Sequence, residues 1–174
     1  MATHLFNAMP EMRHLDPGPV PVLLTDDRVV CELVCDGVHV DPNVVRLAIR
    51  AAGIDNISLV SDAMSLSGHT DGTYQLGGMP VQVLDRVVRT LNLDGTPGAV
   101  AGSTLTMDRA FTFVVGLGFS VLEASRMAST TPARAHGLTQ VGRLAPGTWA
   151  DLCQVDEDGQ LQAVMRRGNW LDRP

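Results

Sequence analysis

The chain has 174 residues, 45% of them hydrophobic, a mean hydropathy of +0.11 and a formal net charge of −6 from 19 acidic and 13 basic residues. No apolar run approaches the roughly 18 residues of a membrane span, no basic-then-apolar leader opens the sequence, and the acidic balance argues against nucleic acid as the main partner. All 13 basic residues are arginine, which excludes chemistry that needs a lysine: a Schiff base, a P-loop or a carbamylated metal bridge.

In chain order, residues 2–8 of "MATHLFNAMP" read as a short apolar strand with His4 at its end and Asn7-Ala8 beyond. "RVVCELVCDGVHV" is a strand-like apolar run that closes on Asp36-Gly37-Val38-His39. Cys31 and Cys35 share a strand face and read as buried small apolar residues, since a zinc site would need further ligands at ligand spacing. With Cys153 they make an odd, unpaired set, which points to reduced thiols in a cytoplasmic protein. "DPNVVRLAIRAAG" reads as a helix capped by Asp41, with Pro42 in its first turn and Gly53 as its stop. "NISLVSDAM" is a buried strand ending in Asp62. "SGHTDGTYQLGGMPVQVLD", with Tyr74 and alternating Val81 and Val83, reads as a Gly-rich, hairpin-like excursion over the site edge. "GAVAGSTL" is another short strand. It leads into a helix, "TMDRAFTFVVGLGFS", for which Thr106 or Asp108 is the cap. "SVLEASRMAST" is a further helix that stops before Pro132. After Gly137 the chain alternates in short stretches, with turns at Pro146-Gly147 and Asp158-Gly159, and reads as a small antiparallel β unit.

Strands that alternate with helices imply parallel pairing and an α/β architecture. His4, His39, Asp62 and Ser103 all fall at or just past strand C-termini, the edge where parallel α/β folds carry their active sites. Four chemistry-bearing positions at one kind of place are a stronger signal than any one of them.

The successive segments "THLFNAMP", "DGVHVDP", "LVSDAM", "AGSTLTMDRAF", "ASTTPARAHGL" and "GRLAPGTWADL" closely resemble, in order, those of the N-acetylglucosamine-6-phosphate deacetylase family of metal-dependent amidohydrolases. "HLFNAM" with "DGVHVD" is specific, whereas "PGxxADL" alone would say only amidohydrolase-like. The resemblance covers the C-terminal half of family members. It implies the second half of a (β/α)8 barrel over residues 1–137 and the C-terminal strands of a small β-sandwich over 138–174. The chain is therefore expected to be a fragment whose open strand edges and half-filled core drive self-association.

By the same resemblance, His4 is a ligand of a catalytic divalent metal, Zn or Fe, whose other protein ligands lie outside this chain. Asp62 is the general base that takes a proton from the attacking water and returns it to the leaving amine. His39 binds the substrate and polarises the acetamide carbonyl. Asn7 and Ala8 touch the substrate, and the backbone around Val100, Ala101 and Gly102 lines the sugar pocket, where small residues allow close approach. The family usually reads "HHREPG" where this chain reads "RHLDPG", so Leu15 stands in place of a phosphate-gripping arginine. Arg13, with its bidentate fork, and His14 are the nearby substitutes. His69 could face the site, and His136 reads as a helix-end residue.

The activity implied is hydrolysis of N-acetyl-D-glucosamine 6-phosphate to glucosamine 6-phosphate and acetate, in a cytoplasmic homodimer. A catalytically incomplete fragment that needs a partner chain, or an amidohydrolase for another N-acyl substrate, are the alternatives.

Overall fold

The computed structural model describes residues 1–171. These form two compact units, one of Met1–Val60 with the chain from Met107 onward, the other of Ser61–Thr106.

In the first unit, Ala2 bridges Cys31 in parallel, with Ala2 N–H donating to Val30 O and Glu32 N–H to Ala2 O, both at 2.8 Å. The strand predicted over residues 2–8 shrinks to that single bridge. His4, Phe6 and Ala8 take φ of +35°, +74° and +54°, and left-handed residues at every second position cannot sustain an extended chain. The segment coils instead, with Asn7 N–H donating to His4 O at 2.9 Å and Leu5 N–H to Glu32 O at 2.8 Å, and Leu5 fully buried as its anchor.

A short helix, α1 (Val20–Thr25), leads to β1 (Cys31–Val34), then α2 (Pro42–Ala52), a 3-10 turn (Ile54–Asn56) and β2 (Ile57–Val60). β1 and β2 pair in parallel from Cys31↔Ile57 to Val34↔Val60. Both are buried nearly throughout, the signature of a sheet covered on both faces. α2 follows the sequence reading closely. The Asp41 carboxylate accepts Asn43 N–H at 2.8 Å, Pro42 occupies the first turn, and Gly53 ends the helix at φ +76°. Val45, Ala48 and Ile49, at helical spacing, form its buried face.

The second unit is an antiparallel meander of β3 (Gly72–Leu76), β4 (Met79–Leu84), β5 (Val87–Leu91) and β6 (Pro97–Ser103), paired in sequence order. Its tight turns, Gly77-Gly78 and Asp85-Arg86, hold positive φ at both central residues, as two-residue hairpin loops require. Val81 and Val83 alternate inward and cluster with Leu66 and Val88. The predicted "GAVAGSTL" strand is therefore present as β6, but it pairs antiparallel with β5 rather than as a rung of a parallel sheet. Only its last residue makes a parallel bridge, Ala63↔Ser103.

The first unit resumes with α3 (Met107–Gly116), which places Asp108 in the first turn rather than at the cap. α4 (Val121–Ser125) begins at a reciprocal cap. Glu123 N–H donates to Ser120 Oγ, and the Glu123 carboxylate accepts Ser120 N–H at 2.7 Å. The predicted stop before Pro132 does not occur. A π-helical turn (Arg126–Thr130) carries the helix into α5 (Thr131–Ala135), with Thr131 N–H donating to Arg126 O. The widened turn lets a residue without an N–H sit inside a continuous helix. The chain closes with an antiparallel sheet of β7 (Leu152–Val155), β8 (Leu161–Arg166) and β9 (Asn169–Trp170), as the sequence pattern predicts. No helix of the described residues is long and apolar enough to cross a membrane.

Candidate active site

Within the first unit, the two histidines singled out by sequence follow segments that pair in parallel, His4 just after the isolated Ala2 bridge to Cys31 and His39 past the C-terminal end of β1. His4 holds a left-handed backbone and a buried Nδ1 that finds no hydrogen-bond partner among the described residues. A buried imidazole nitrogen without a protein partner is costly unless something else occupies its lone pair. A divalent cation is such an occupant, and neutral imidazole is its common ligand. Among the described residues no cluster of three or more His, Cys, Asp or Glu can hold a metal ion. His4 thus fits as one ligand of a site completed by other groups.

His39 sits in a tight turn built by Asp36. One carboxylate oxygen of Asp36 accepts the N–H groups of Val38 and His39, each at 2.9 Å; the other lies 2.7 Å from His39 Nδ1. Both side chains are only 10% exposed. Burial alone would raise the Asp36 carboxyl, but the hydrogen bonds and charge of His39, with the Val38 N–H, hold it below its ordinary value. Gly37 makes the turn possible. It takes φ +74°, and a Cβ there would come within 3.1 Å of the Phe113 ring of α3. Beneath the turn, burial and the adjacent Asp36 charge push the Cys35 thiol up to about 12. Cys31 and Cys35 are fully buried and free, as small core residues.

Asp62, His69 and the Val100–Gly102 backbone lie in the second unit. Asp62 is exposed and takes φ +46°, an uncommon conformation for a non-glycine residue and one that strained functional positions favour. The Ala63↔Ser103 bridge and the 3.0 Å bond from Met64 N–H to Ser103 O bring it alongside the end of β6. There Val88 faces Gly102 and Arg89 faces Val100, so Ala101 is an extra residue in the ladder, a β-bulge. Bulges free backbone groups from pairing, which fits main-chain contact with a ligand at Val100, Ala101 and Gly102. Gly102 takes φ +149°, and Met64 fills the space its Cβ would need, with Cε at 2.8 Å.

Asn7 Nδ2 donates to Leu5 O at 3.3 Å, which fixes its side chain to its own coil, and Ala8 is exposed beside it. Arg13 is exposed and its guanidinium grips Glu11 Oε2 at 2.9 and 3.2 Å, so a ligand phosphate would compete with that carboxylate. His14, Leu15 and His136 are exposed, and His69 stacks edge-on against Tyr74. A cleft of about 990 Å³ between α3, α4 and the C-terminal sheet contains none of these residues. Two contributors escaped the sequence reading: Asp36, whose only signal was its D-x-x-H spacing, and the Ala101 bulge, which no local sequence feature announced.

The profile of the Amidohydrolase family matches residues 2–171. An N-acetylgalactosamine-6-phosphate deacetylase from Escherichia coli O157:H7 is 40% identical over 167 residues, which cover 95% of this chain and 43% of the relative. An N-acetylglucosamine-6-phosphate deacetylase from Lysinibacillus sphaericus is 36% identical, with 42% of its length covered. A relative from E. coli K12, 40% identical, is itself short, with 96% of its length covered. Among solved structures, an Asp-to-Ala mutant of N-acetyl-D-glucosamine-6-phosphate deacetylase from Mycobacterium smegmatis, in complex with N-acetyl-D-glucosamine-6-phosphate, superposes with a TM-score of 0.86 at 40% identity. It covers 97% of this chain and 44% of that one. The Thermotoga maritima N-acetylglucosamine-6-phosphate deacetylase gives 0.87 at 35% identity, covering 99% of this chain and 46% of that one. The chain thus spans under half the length of most relatives it matches.

Proposed function

The chain belongs to the amidohydrolase family, and from that premise we propose that it carries the C-terminal half of a deacetylase for N-acetyl-D-glucosamine 6-phosphate, hydrolysing the acetamide to acetate and glucosamine 6-phosphate. In this reading residues 1–137 are barrel segments and 138–174 are strands of a small β-sandwich. The protein works as a cytoplasmic dimer in amino-sugar breakdown. One observation carries the reading: His4, left-handed and with a buried ring nitrogen that has no partner among the described residues, follows the segment bridged to β1, the strand that leads to the nearly buried Asp36–His39 pair.

His4 would hold the metal, Zn or Fe. Such an ion, when bound, polarises the carbonyl and acidifies its water. His39 orients the acetamide. Asp62, exposed and with a left-handed backbone, accepts the proton of the attacking water and passes one to the departing amine; that transfer contributes about 10²- to 10⁴-fold to such reactions. Asn7, Ala8 and the bulged Val100–Gly102 backbone touch the sugar. Arg13 contacts the phosphate once it is released from Glu11.

Acetate release from N-acetyl-D-glucosamine 6-phosphate, measured with added Zn or Fe(II), tests the reading. Release that exceeds that from unphosphorylated N-acetylglucosamine and from N-acyl amino acids supports it. Preferential cleavage of N-acyl amino acids overturns it. The relative from E. coli O157:H7 favours a second reading, the galactosamine epimer as substrate, and the same panel with that sugar phosphate decides between the two. If the chain alone releases no acetate and takes up metal far below one ion per chain, it acts only with a complementing polypeptide.

A further inference from the structure

We propose that Asp36 is a positioning residue that fixes the proton of His39 on Nδ1 and so dictates what the opposite ring nitrogen, Nε2, can offer a ligand. The proposal rests on the reading of His39 as a substrate-binding residue and deepens it.

The geometry leaves little latitude. Asp36 Oδ2 lies 2.7 Å from His39 Nδ1, and both side chains are nearly buried. The carboxylate, held below its ordinary value, carries no proton at neutral pH and can only accept. The proton shared between the two groups therefore belongs to the ring. The pair cannot drift apart, because Asp36 Oδ1 accepts both Val38 N–H and His39 N–H, which ties the carboxylate to the backbone of the residue it orients. Gly37, pressed on Phe113, holds the turn from the other side. With Nδ1 protonated, Nε2 is a lone-pair acceptor in the neutral ring and a donor only in the imidazolium. A carbonyl oxygen needs a donor. His39 can polarise an acetamide only as the imidazolium, whose charge the Asp36 carboxylate balances. The alternative tautomer, a neutral ring donating from Nε2, is excluded as long as Asp36 is a carboxylate.

Asp36→Asn separates this role from a structural one. An asparagine keeps the oxygen that accepts Val38 and His39 N–H, so the turn persists. It places an NH₂ donor where Oδ2 stood, and a donor there demands a lone pair on Nδ1. Nitrogen-15 spectra of the histidine-labelled chain, with the His39 signal assigned by its loss in His39→Gln, read the ring directly. In the wild type we expect a proton bonded to Nδ1, and in Asp36→Asn its transfer to Nε2 with the Val38 amide shift retained. A wild-type ring protonated on Nε2 alone overturns the proposal, whether or not the variant folds. So does a folded variant with Nδ1 still protonated. Where the wild type releases acetate, Asp36→Asn should lower kcat about tenfold or more and change KM little, and an unchanged kcat overturns the proposal. Failure of the wild-type chain alone to release acetate bears on the deacetylase reading and its need for a complementing polypeptide, not on the positioning, which the spectra still decide.

Discussion

Residues 61–106 and residues 1–60 solve the problem of pairing strands in opposite ways. In the meander, each strand pairs with its sequence neighbour through a turn of a few residues. In the parallel pair, β1 and β2 are joined through an 11-residue helix, and the segment at Ala2 adds to β1 across more than twenty residues. The meander is held by local turn chemistry, the parallel pair by burial of whole strands. Of the residues proposed for function, His4, Asp36 and His39 belong to the first unit and Asp62, exposed ahead of the meander, to the second.

The comparison breaks most visibly in catalysis. If Asp62 supplies the proton transfer, Asp62→Asn should reduce acetate release by about 10²- to 10⁴-fold with stability unchanged within about 0.5 kcal/mol, since the residue is exposed. A variant that retains most of its rate would take the proton chemistry away from this unit. Next in size is the core. Leu33, fully buried in β1, should cost about 2–5 kcal/mol on truncation to alanine, whereas Leu84 of β4, 53% exposed, should cost under about 0.5 kcal/mol. Urea midpoints measure both, and a comparable loss at Leu84 would mean the meander buries that side chain against something absent from the described residues.

The same division governs what the sequence made legible. α2 could be read residue by residue, because a cap, a proline and a helix-ending glycine act within a few positions of one another. The two-residue hairpin at Gly77-Gly78 was readable for the same reason. The strand predicted at residues 2–8 was not, because apolar composition cannot reveal that His4, Phe6 and Ala8 turn left-handed under the pull of Leu5 into the core. Pro132 misled for a related reason. Proline predicts a stop only while the helix keeps its ordinary hydrogen bonds, and the π turn before it changes them. His4, His39 and Asp62 were singled out by type and by place, near strand ends. Their partners were not: Asp36 is fixed to His39 by a turn that closes on Phe113, more than seventy residues away. The bulge at Ala101 arises from a register shift that only pairing reveals.

Gly102 sharpens the contrast within the meander itself. Its φ of +149° and the Met64 methyl 2.8 Å from a Cβ position offer two reasons for glycine. They can be told apart. The Met64 side chain is flexible at that end, whereas the backbone is fixed by the bulge, so Gly102→Ala should cost about 1–3 kcal/mol through conformation. Met64→Ala should fail to restore the loss. A double-mutant cycle with a coupling near zero supports backbone strain, and full rescue would assign the cost to the contact.

The smallest expected effect concerns acid. Asp36, nearly buried, and Asp94, exposed in the β5–β6 turn, both titrate below the ordinary 3.8, Asp94 through hydrogen bonds from Thr96. A carboxyl depressed in the folded state contributes stability that is present above its unfolded value near 3.8 and is lost as pH falls through the lower folded value. Solvent screens the contribution of an exposed turn, so the two should differ in size although they share a sign. Denaturation midpoints between pH 6 and about 2 should show that Asp36→Asn flattens the acid limb more than Asp94→Asn does. The reverse order would mean that the carboxylate beneath His39 is paired less tightly in solution than its 2.7 Å contact implies, and would weaken the case that the parallel strand ends, rather than the meander, hold the charges that matter.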